Sequence, residues 1–236
     1  MIPVDAVILA GGLGTRLRSV VGHEPKPMAA IGRQPFLDIL IDDLVRHDIA
    51  RFILCVGHGR QRIIDHYRAR SDAEFVFSEE ETPLGTGGAV RKAVVHVRND
   101  PFLVLNGDSF CAVNYAQFLA FHHEKEGVLS MVVADLHGRS DGGSIELAGD
   151  QRITRFREKA AINTDVSAYI NAGVYLLRED LPGSWQHPVP FSLEQDVFPA
   201  LVASERCYGF PVDSEVIDIG TPERYAEAQG KLAGRR

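Results

Sequence analysis

Three short segments of this chain gather residue types suited to handling phosphate. The first, Leu9 to Ala29, reads LAGGLGTRLRSVVGHEPKPMA. Gly11, Gly12 and Gly14 lack side chains, so the backbone can approach a ligand and turn its N–H groups toward phosphate oxygens. Arg16 and Lys26 add positive charge, and Pro25 and Pro27 restrict the backbone on both sides of Lys26. The second segment is VLNGDSF, Val104 to Phe110, where Gly107 bends the chain after a strand and presents Asp108 at the sheet edge. The third is VIDIGTPERY, Val216 to Tyr225. There Asp218 sits in an apolar strand, and Thr221 is a natural helix N-cap with Pro222 at the first helical position. An aspartate after glycine is by itself an ordinary turn residue, and a glycine turn with solvated charges is an ordinary loop. Taken together, the three segments favour a phosphate site. Phosphoryl transfer needs negative charge neutralised, and Mg²⁺ is typically held by one or two carboxylates plus phosphate oxygens and waters.

Other nucleotide motifs fit poorly. A Walker loop needs Gly-Lys-Ser/Thr, which the chain lacks. A dinucleotide fingerprint needs glycine where Leu17 stands, which disfavours a dinucleotide-dependent oxidoreductase.

These residues must be positioned by regular elements. Val4 to Ala10 is a short apolar run ending in glycines, which suits a buried parallel strand. Phe36 to Arg46 has helical periodicity. Arg51 to Val56 reads as a strand, Gln61 to Arg68 as a helix and Phe75 to Phe77 as a short strand. After a glycine-rich turn, Gly88 to Val97 reads as a helix, Phe102 to Leu105 as a buried strand and Tyr115 to Glu126 as a helix. This alternation predicts an α/β fold with a Rossmann-like, doubly wound, mostly parallel mixed sheet. In such sheets the site lies outside the carboxyl ends of the strands, here Ala10, Val56 and Leu105. From about Val128 strands predominate: Leu129 to Asp135, Ser144 to Leu147, Arg152 to Phe156 and Ile170 to Leu177. Leu193 to Ala203 and Pro222 to Leu232 read as helices. The expectation is a single domain over 1–236 with two lobes, over about 1–127 and about 128–236, the second adding antiparallel strands that cover the site. Ala233 to Arg236 reads as a frayed tail.

Size and composition are ordinary for a soluble globular domain. The 236 residues are 45% hydrophobic and 24% charged, and a chain of this length can bury roughly 70% of its unfolded surface. The net charge of −7 argues against general nucleic-acid binding. Cys55, Cys111 and Cys207 are scattered in apolar stretches and read as buried free thiols. No signal peptide is visible, and no run approaches the ~20 apolar residues of a membrane helix. The expected location is the cytoplasm, with no membrane or nucleic-acid partner.

The Leu9–Ala29 segment resembles the signature of the sugar-nucleotide pyrophosphorylases: Gly-Gly-x-Gly-Thr-Arg-Leu, about ten residues, then Lys-Pro. The likeness runs from about Val4 to Gln229 in order, without the C-terminal extension that carries a second activity in acetyltransferase-fused relatives. It implies that the chain takes a nucleoside triphosphate and a sugar 1-phosphate, and that Arg16, Lys26 and Asp108 are catalytic. Gly11, Gly12, Gly14 and Thr15 would wrap the triphosphate, with Arg16 and Lys26 on the departing pyrophosphate. Leu9, Ala10, Glu80, Gly85, Thr86 and Asn106 complete the implied nucleotide site. Asp108 and Asp218 match the aspartates that hold Mg²⁺, for which Mn²⁺ can substitute. FREKA, Phe156 to Ala160, resembles the family's Glu-Glu-Lys segment, with Arg157 in place of the first glutamate. Glu158 and Lys159 would then meet the sugar phosphate, together with Asn171 of INAGVY and the backbone of Gly143. In that motif Gly173 would leave room for the sugar ring.

The segment EEETPLGTGGAV, Glu79 to Val90, lies where the family reads the base. Gly85, Gly87 and Gly88 would let a flat base approach the backbone. Guanine offers two adjacent donors, which a carboxylate such as Glu80 accepts together. Uracil and thymine offer one, which suits a neutral glutamine. Within the family, GGLGTRLRSVV, PKPMA, LNGDSF and SLEQDVFP resemble the D-glycero-α-D-manno-heptose 1-phosphate guanylyltransferases. Thr82 interrupts their usual Glu-Pro, and Ala30 stands where proline is common. The expected reaction is therefore transfer of GMP from GTP to that heptose phosphate. Mannose 1-phosphate guanylyltransferase and N-acetylmuramate 1-phosphate uridylyltransferase remain open, as does assembly into a homo-oligomer. A catalytically silent, sugar-nucleotide-sensing subunit is the alternative from another class, and retention of Arg16, Lys26 and Asp108 argues against it. A phosphate dianion needs no general base, so His23, His58, His122 and His123 read as surface or loop residues.

Overall fold

A computed structural model describes residues 2–135, 144–157 and 169–234. The first half alternates strand and helix. It runs β1 (Ala6–Leu9), a single turn α1 (Arg18–Val21), the two-residue strands β2 (Ala30–Ile31) and β3 (Gln34–Pro35), α2 (Phe36–Arg46), β4 (Arg51–Val56), α3 (Arg60–Arg68), β5 (Glu74–Glu79), α4 (Gly85–Ala93), β6 (Phe102–Asn106), β7 (Ser109–Phe110) and α5 (Tyr115–Lys125). The second half brings β8 (Leu129–Asp135), β9 (Ser144–Leu147), β10 (Ile153–Arg157), β11 (Tyr169–Leu177), α6 (Phe198–Ser204), β12 (Cys207–Val212), β13 (Ile217–Asp218) and α7 (Pro222–Leu232).

One mixed sheet holds nine of the described strands. Its parallel part is β5-β4-β1-β6. β11 then runs antiparallel to β6 and carries β8 and the β9–β10 hairpin on its other contacts. The antiparallel strands expected after Val128 thus extend the same sheet. Both faces are apolar. Ala6 and Ile8 face a core built with α2, α3, α5 and α7, while Val7 packs with α4 and α6 on the opposite face. Each core draws residues from both halves of the chain. That follows from strands buried on both sides, whose neighbouring side chains point opposite ways. Asp5, buried at the foot of β1, is satisfied by Arg51 at 3.2 Å and by the Asn99 side-chain amide at 3.1 Å.

Several local expectations needed correction. The glycine-rich turn before Val90 is already helix: α4 starts at Gly85 and ends at Ala93. Leu193–Val197 forms a π-helical turn before α6. Pro199 has no N–H to return to the Gln195 carbonyl, so regular α-helix starts only at Phe198. β12 is not among the strands expected from the sequence, and it carries Gly209 and Pro211. It is an outer strand paired with β8 along its length, where a proline can point its missing donor away from the ladder. His122 is a core residue bonded to Ser130 Oγ at 2.8 Å rather than a surface one, and burial lowers its pKa to about 4. The three cysteines are buried and free, as expected, and burial pushes their thiols up.

Candidate active site

The parallel strands end together, and their exits are tied to one another. Ala10 N–H donates to the Cys55 carbonyl at 2.9 Å, Gly107 N–H to Leu9 at 3.0 Å, and Glu80 N–H to Val56 at 2.7 Å. A cavity of about 290 Å³ opens above these exits. Its walls include Leu9, Gly11, Gly12, Lys26, Glu80, Gly85, Thr86, Asn106 and Asp108 of the residues named from sequence. Pro27, Pro83, Ala89 and Glu194 complete much of the rest.

At one end of the cavity Lys26 forms an ion pair with Asp108. Pro25 and a 3₁₀ turn over Lys26–Met28 fix the lysine backbone, and Gly14 lets its stem pass. A Cβ on Gly14 would lie 2.9 Å from Lys26 Cβ, and its φ of 57° is a left-handed value that disfavours other residues. Gly14 therefore serves Lys26, whereas Gly12 has open space where a Cβ would stand. β7 pairs with β13, so Ser109 lies opposite Asp218, and Ile219 N–H donates to the Asp108 carbonyl at 3.0 Å. Two aspartates more than a hundred residues apart thus become neighbours on one small ribbon. Asp218 is held by Arg224 Nη1 at 3.0 and 3.2 Å and by Gly220 N–H at 2.9 Å. Thr221 caps α7 as expected, accepting from Arg224 N–H, and the cap sets the first turn from which Arg224 reaches back.

Glu80 occupies the other end. It is 8% exposed, and burial raises its carboxyl pKa above the ordinary glutamate value. Oε2 accepts from Leu84 N–H at 3.1 Å. Oε1 lies against Gly11, where a Cβ would come within 2.7 Å. Gly11 is thus the residue that admits the carboxylate to the cavity wall.

Other expected residues are placed differently. Ala10 is buried beneath the loop. Thr15 and Arg16 are exposed on a 3₁₀ turn anchored by buried Leu17, outside the cavity lining. Gly87 does not offer its face to a flat base: a Cβ there would lie 2.3 Å from Phe191 Cε2, so the position is needed for packing against Phe191. Gly88 likewise faces Val189 and Leu84, leaving Gly85 on the cavity wall. Gly173, at φ 74°, makes room for Asn106 and Ser109 rather than for a sugar ring. It sits where the β11–β8 register shifts between Asn171 and Tyr175. Asn171 donates to Tyr175 Oη at 2.7 Å and accepts from Gly173 N–H at 2.8 Å. Gly143, Glu158 and Lys159 lie outside the described residues.

Sequence reasoning missed two participants. Arg224 pairs with Asp218, and its only signal was its place one turn into a capped helix. Glu194 lines the cavity, although its segment SLEQDVFP had been noted only as a likeness. Among the described residues, no helix is long and apolar enough to cross a membrane.

Comparison with known proteins gives a consistent result. The profile of the family described as Nucleotidyl transferase matches residues 5–235. D-glycero-α-D-manno-heptose 1-phosphate guanylyltransferase of Aneurinibacillus thermoaerophilus is 33% identical over 97% of this chain and 98% of its own. Mannose-1-phosphate guanylyltransferase catalytic subunit beta of Drosophila pseudoobscura pseudoobscura is 33% identical over 93% of this chain, which spans 60% of that protein. The crystal structure of HddC from Yersinia pseudotuberculosis complexed with GMP-PN superposes with a TM-score of 0.84 at 33% identity, covering 97% of this chain and 99% of that one.

Proposed function

This chain belongs to the nucleotidyl transferase family, and on that premise we propose that it transfers GMP from GTP to D-glycero-α-D-manno-heptose 1-phosphate, releasing pyrophosphate. The observation that carries the reading is the Glu80 carboxylate, which shares a cavity with the Lys26–Asp108 pair. One end of the cavity suits a base with two adjacent N–H donors and the other suits phosphate. The solved relative complexed with GMP-PN and the guanylyltransferase names of the relatives support guanine. Uracil presents one N–H flanked by carbonyl oxygens, which a carboxylate repels.

In this reading a phosphate oxygen of the sugar 1-phosphate attacks the α-phosphorus of GTP in line. A P–O bond forms to the sugar phosphate, the bond between the α- and β-phosphates breaks, and pyrophosphate leaves with that electron pair. The attacking oxygen is already anionic, so neither a protein nucleophile nor a general base is needed, and the protein contributes position and charge. Lys26 would face the leaving phosphates from the cavity wall, and Arg16, exposed on its 3₁₀ turn, would add positive charge to them. Asp108 and Asp218 offer hard carboxylate oxygens on paired strands, the donor type Mg²⁺ and Mn²⁺ take. These two aspartates would hold the ion, which supplies charge neutralisation on the triphosphate. Glu158, Lys159, Asn171 and the Gly143 backbone would receive the sugar phosphate, dividing the domain into a nucleotide lobe and a sugar lobe. A cytoplasmic setting, where GTP is available, completes the reading.

Mannose 1-phosphate is the second sugar to consider, because a guanylyltransferase of that name is equally identical in sequence. Pyrophosphate release separates these readings. The protein with Mg²⁺, each of four nucleoside triphosphates and each of the two sugar 1-phosphates should release pyrophosphate fastest with GTP and the heptose phosphate. Faster release with mannose 1-phosphate transfers the assignment to that sugar. No release with any combination removes the catalytic reading and leaves a binding subunit.

A further inference from the structure

We propose that Glu194 is a specificity-determining residue whose carboxylate accepts hydrogen bonds from a vicinal diol of a substrate. Glu194 stands in the π-helical turn Leu193–Val197 and lines the same cavity as Glu80 and Asp108. Its Oε2 accepts from Thr86 Oγ1 at 2.9 Å and from Ser192 Oγ at 2.8 Å. Both partners are themselves held. Thr86 Oγ1 accepts from Leu193 N–H at 2.8 Å, and Ser192 Oγ accepts from the N–H groups of Glu194 and Gln195 at 3.1 and 3.2 Å. The carboxylate is therefore fixed in orientation before any ligand arrives.

Those bonds use one oxygen. Among the described residues, no donor reaches the second oxygen and no cation pairs with Glu194. Bracing the loop needs only the first oxygen, and a neutral amide would serve as well. A second oxygen left without a partner on a residue that lines the cavity is an acceptor held for something that enters. Phosphate is excluded by charge. Neutral donors remain; with the N–H edge of the base assigned to Glu80, a hydroxyl is the donor left, and O–H···O⁻ bonds are short and strong. A site built around such a bond rejects an analogue lacking the hydroxyl, because its own acceptor is then left unpaired. Two substrates can bring a vicinal diol: the ribose of the nucleotide and the ring of the sugar phosphate. Naming these two rests on the function proposed above.

The test is calorimetric binding, which needs no turnover. Wild type and Glu194→Gln are titrated with GTP, 2′-deoxy-GTP, 3′-deoxy-GTP and, separately, D-glycero-α-D-manno-heptose 1-phosphate. The substitution keeps size and an acceptor for Thr86 and Ser192 but removes the charge. If ribose supplies the diol, GTP weakens roughly 10-fold or more and its advantage over a deoxy analogue disappears. If the sugar supplies it, the sugar phosphate weakens by a similar factor while GTP is unaffected. Glu194→Asp, which keeps the charge but withdraws it by one methylene, should lose the same preference, and this second variant covers a failure of the first to fold. Unchanged affinities in both variants overturn the proposal, as does equal weakening of GTP and both deoxy analogues with no effect specific to the sugar. A wild-type protein that binds none of these ligands overturns the reaction assigned above, and this proposal with it.

Discussion

The two ends of the cavity use the same residue type in opposite ways. Where Lys26 lines the cavity, Asp108 is paired with it, and beside them Asp218 is paired with Arg224, so each carboxylate already faces a cation. Elsewhere on the cavity wall, among the described residues, the Glu80 and Glu194 carboxylates accept hydrogen bonds only from neutral donors, the Leu84 N–H, the Thr86 hydroxyl and the Ser192 hydroxyl, while Lys92 acts on Glu80 through space. A carboxylate beside a cation belongs to a network suited to highly charged ligands. A carboxylate oriented by neutral donors keeps accepting capacity for N–H and O–H groups. The contrast explains how one small cavity could treat a triphosphate and a base differently without separate pockets. It also shows why Gly11 and Gly14 are not interchangeable. Gly14 admits a lysine to one end and Gly11 a glutamate to the other.

The largest expected effect is at the phosphate end. Asp108→Asn should lower turnover at least ~100-fold, the scale of removing one charge-stabilising group. Steady-state pyrophosphate release at saturating Mg²⁺ measures this, and near-normal turnover would take Asp108 out of the charge network. Lys26→Met should lower turnover by roughly 10- to 150-fold, the worth of one charge-assisted contact, with little change in melting temperature. A parallel loss of stability and rate would instead make the Lys26–Asp108 pair a structural brace. Gly11→Ala should act at the opposite end. Its Cβ would meet Glu80 Oε1 at 2.7 Å, so the KM for GTP should rise roughly 10-fold, the cost of one charge-assisted contact. A fall in kcat with KM unchanged would show that Gly11 serves the phosphates and would break the division between the ends.

Much of this arrangement was legible in the sequence, and the exceptions have physical reasons. The strand and helix alternation was plain because strands buried on both sides read as continuous apolar runs. Phe36–Arg46 and Arg51–Val56 were expected with the boundaries the fold shows. Asp108 was legible because Gly107 turns the chain where β6 ends, Lys26 because Pro25 and Pro27 flank it beyond the glycine-rich loop, and Glu80 through the likeness of its loop to a base-reading segment. What a glycine makes room for was not legible. Gly87 yields to Phe191 and Gly173 to Asn106 and Ser109, which are contacts between distant segments that no local pattern records. β12 was hidden because Pro211 is excluded from central strands but tolerated on an outer one. Glu194 was hidden because an acidic residue in a helical segment looks like any solvated position. His122 was misjudged for the converse reason: a polar residue in an amphipathic helix gives no sign that Ser130 of the neighbouring strand waits for it.

The smallest expected effect lies outside the cavity and bears on stability alone. The folded-state pKa of His122 is about 4, below its ordinary value of 6.5. Between those values the unfolded chain takes up a proton that the folded one refuses. The contribution of His122 is therefore complete above about pH 6.5 and is lost as the pH falls toward 4. Urea unfolding at pH 7 and pH 5 should show a steeper loss for wild type than for His122→Gln. Equal slopes would mean that His122 is not held neutral in the fold.

The contrast between the two ends is tested most directly by comparing GTP with inosine triphosphate, which lacks only the exocyclic amine of guanine. Binding of each is measured calorimetrically to wild type and to Glu80→Gln. Wild type should prefer GTP by roughly 10-fold, the worth of one charge-assisted hydrogen bond, and Glu80→Gln should bind the two about equally. A preference that survives in Glu80→Gln, or a wild-type protein that does not distinguish them, would contradict the assignment of base recognition to the Glu80 carboxylate.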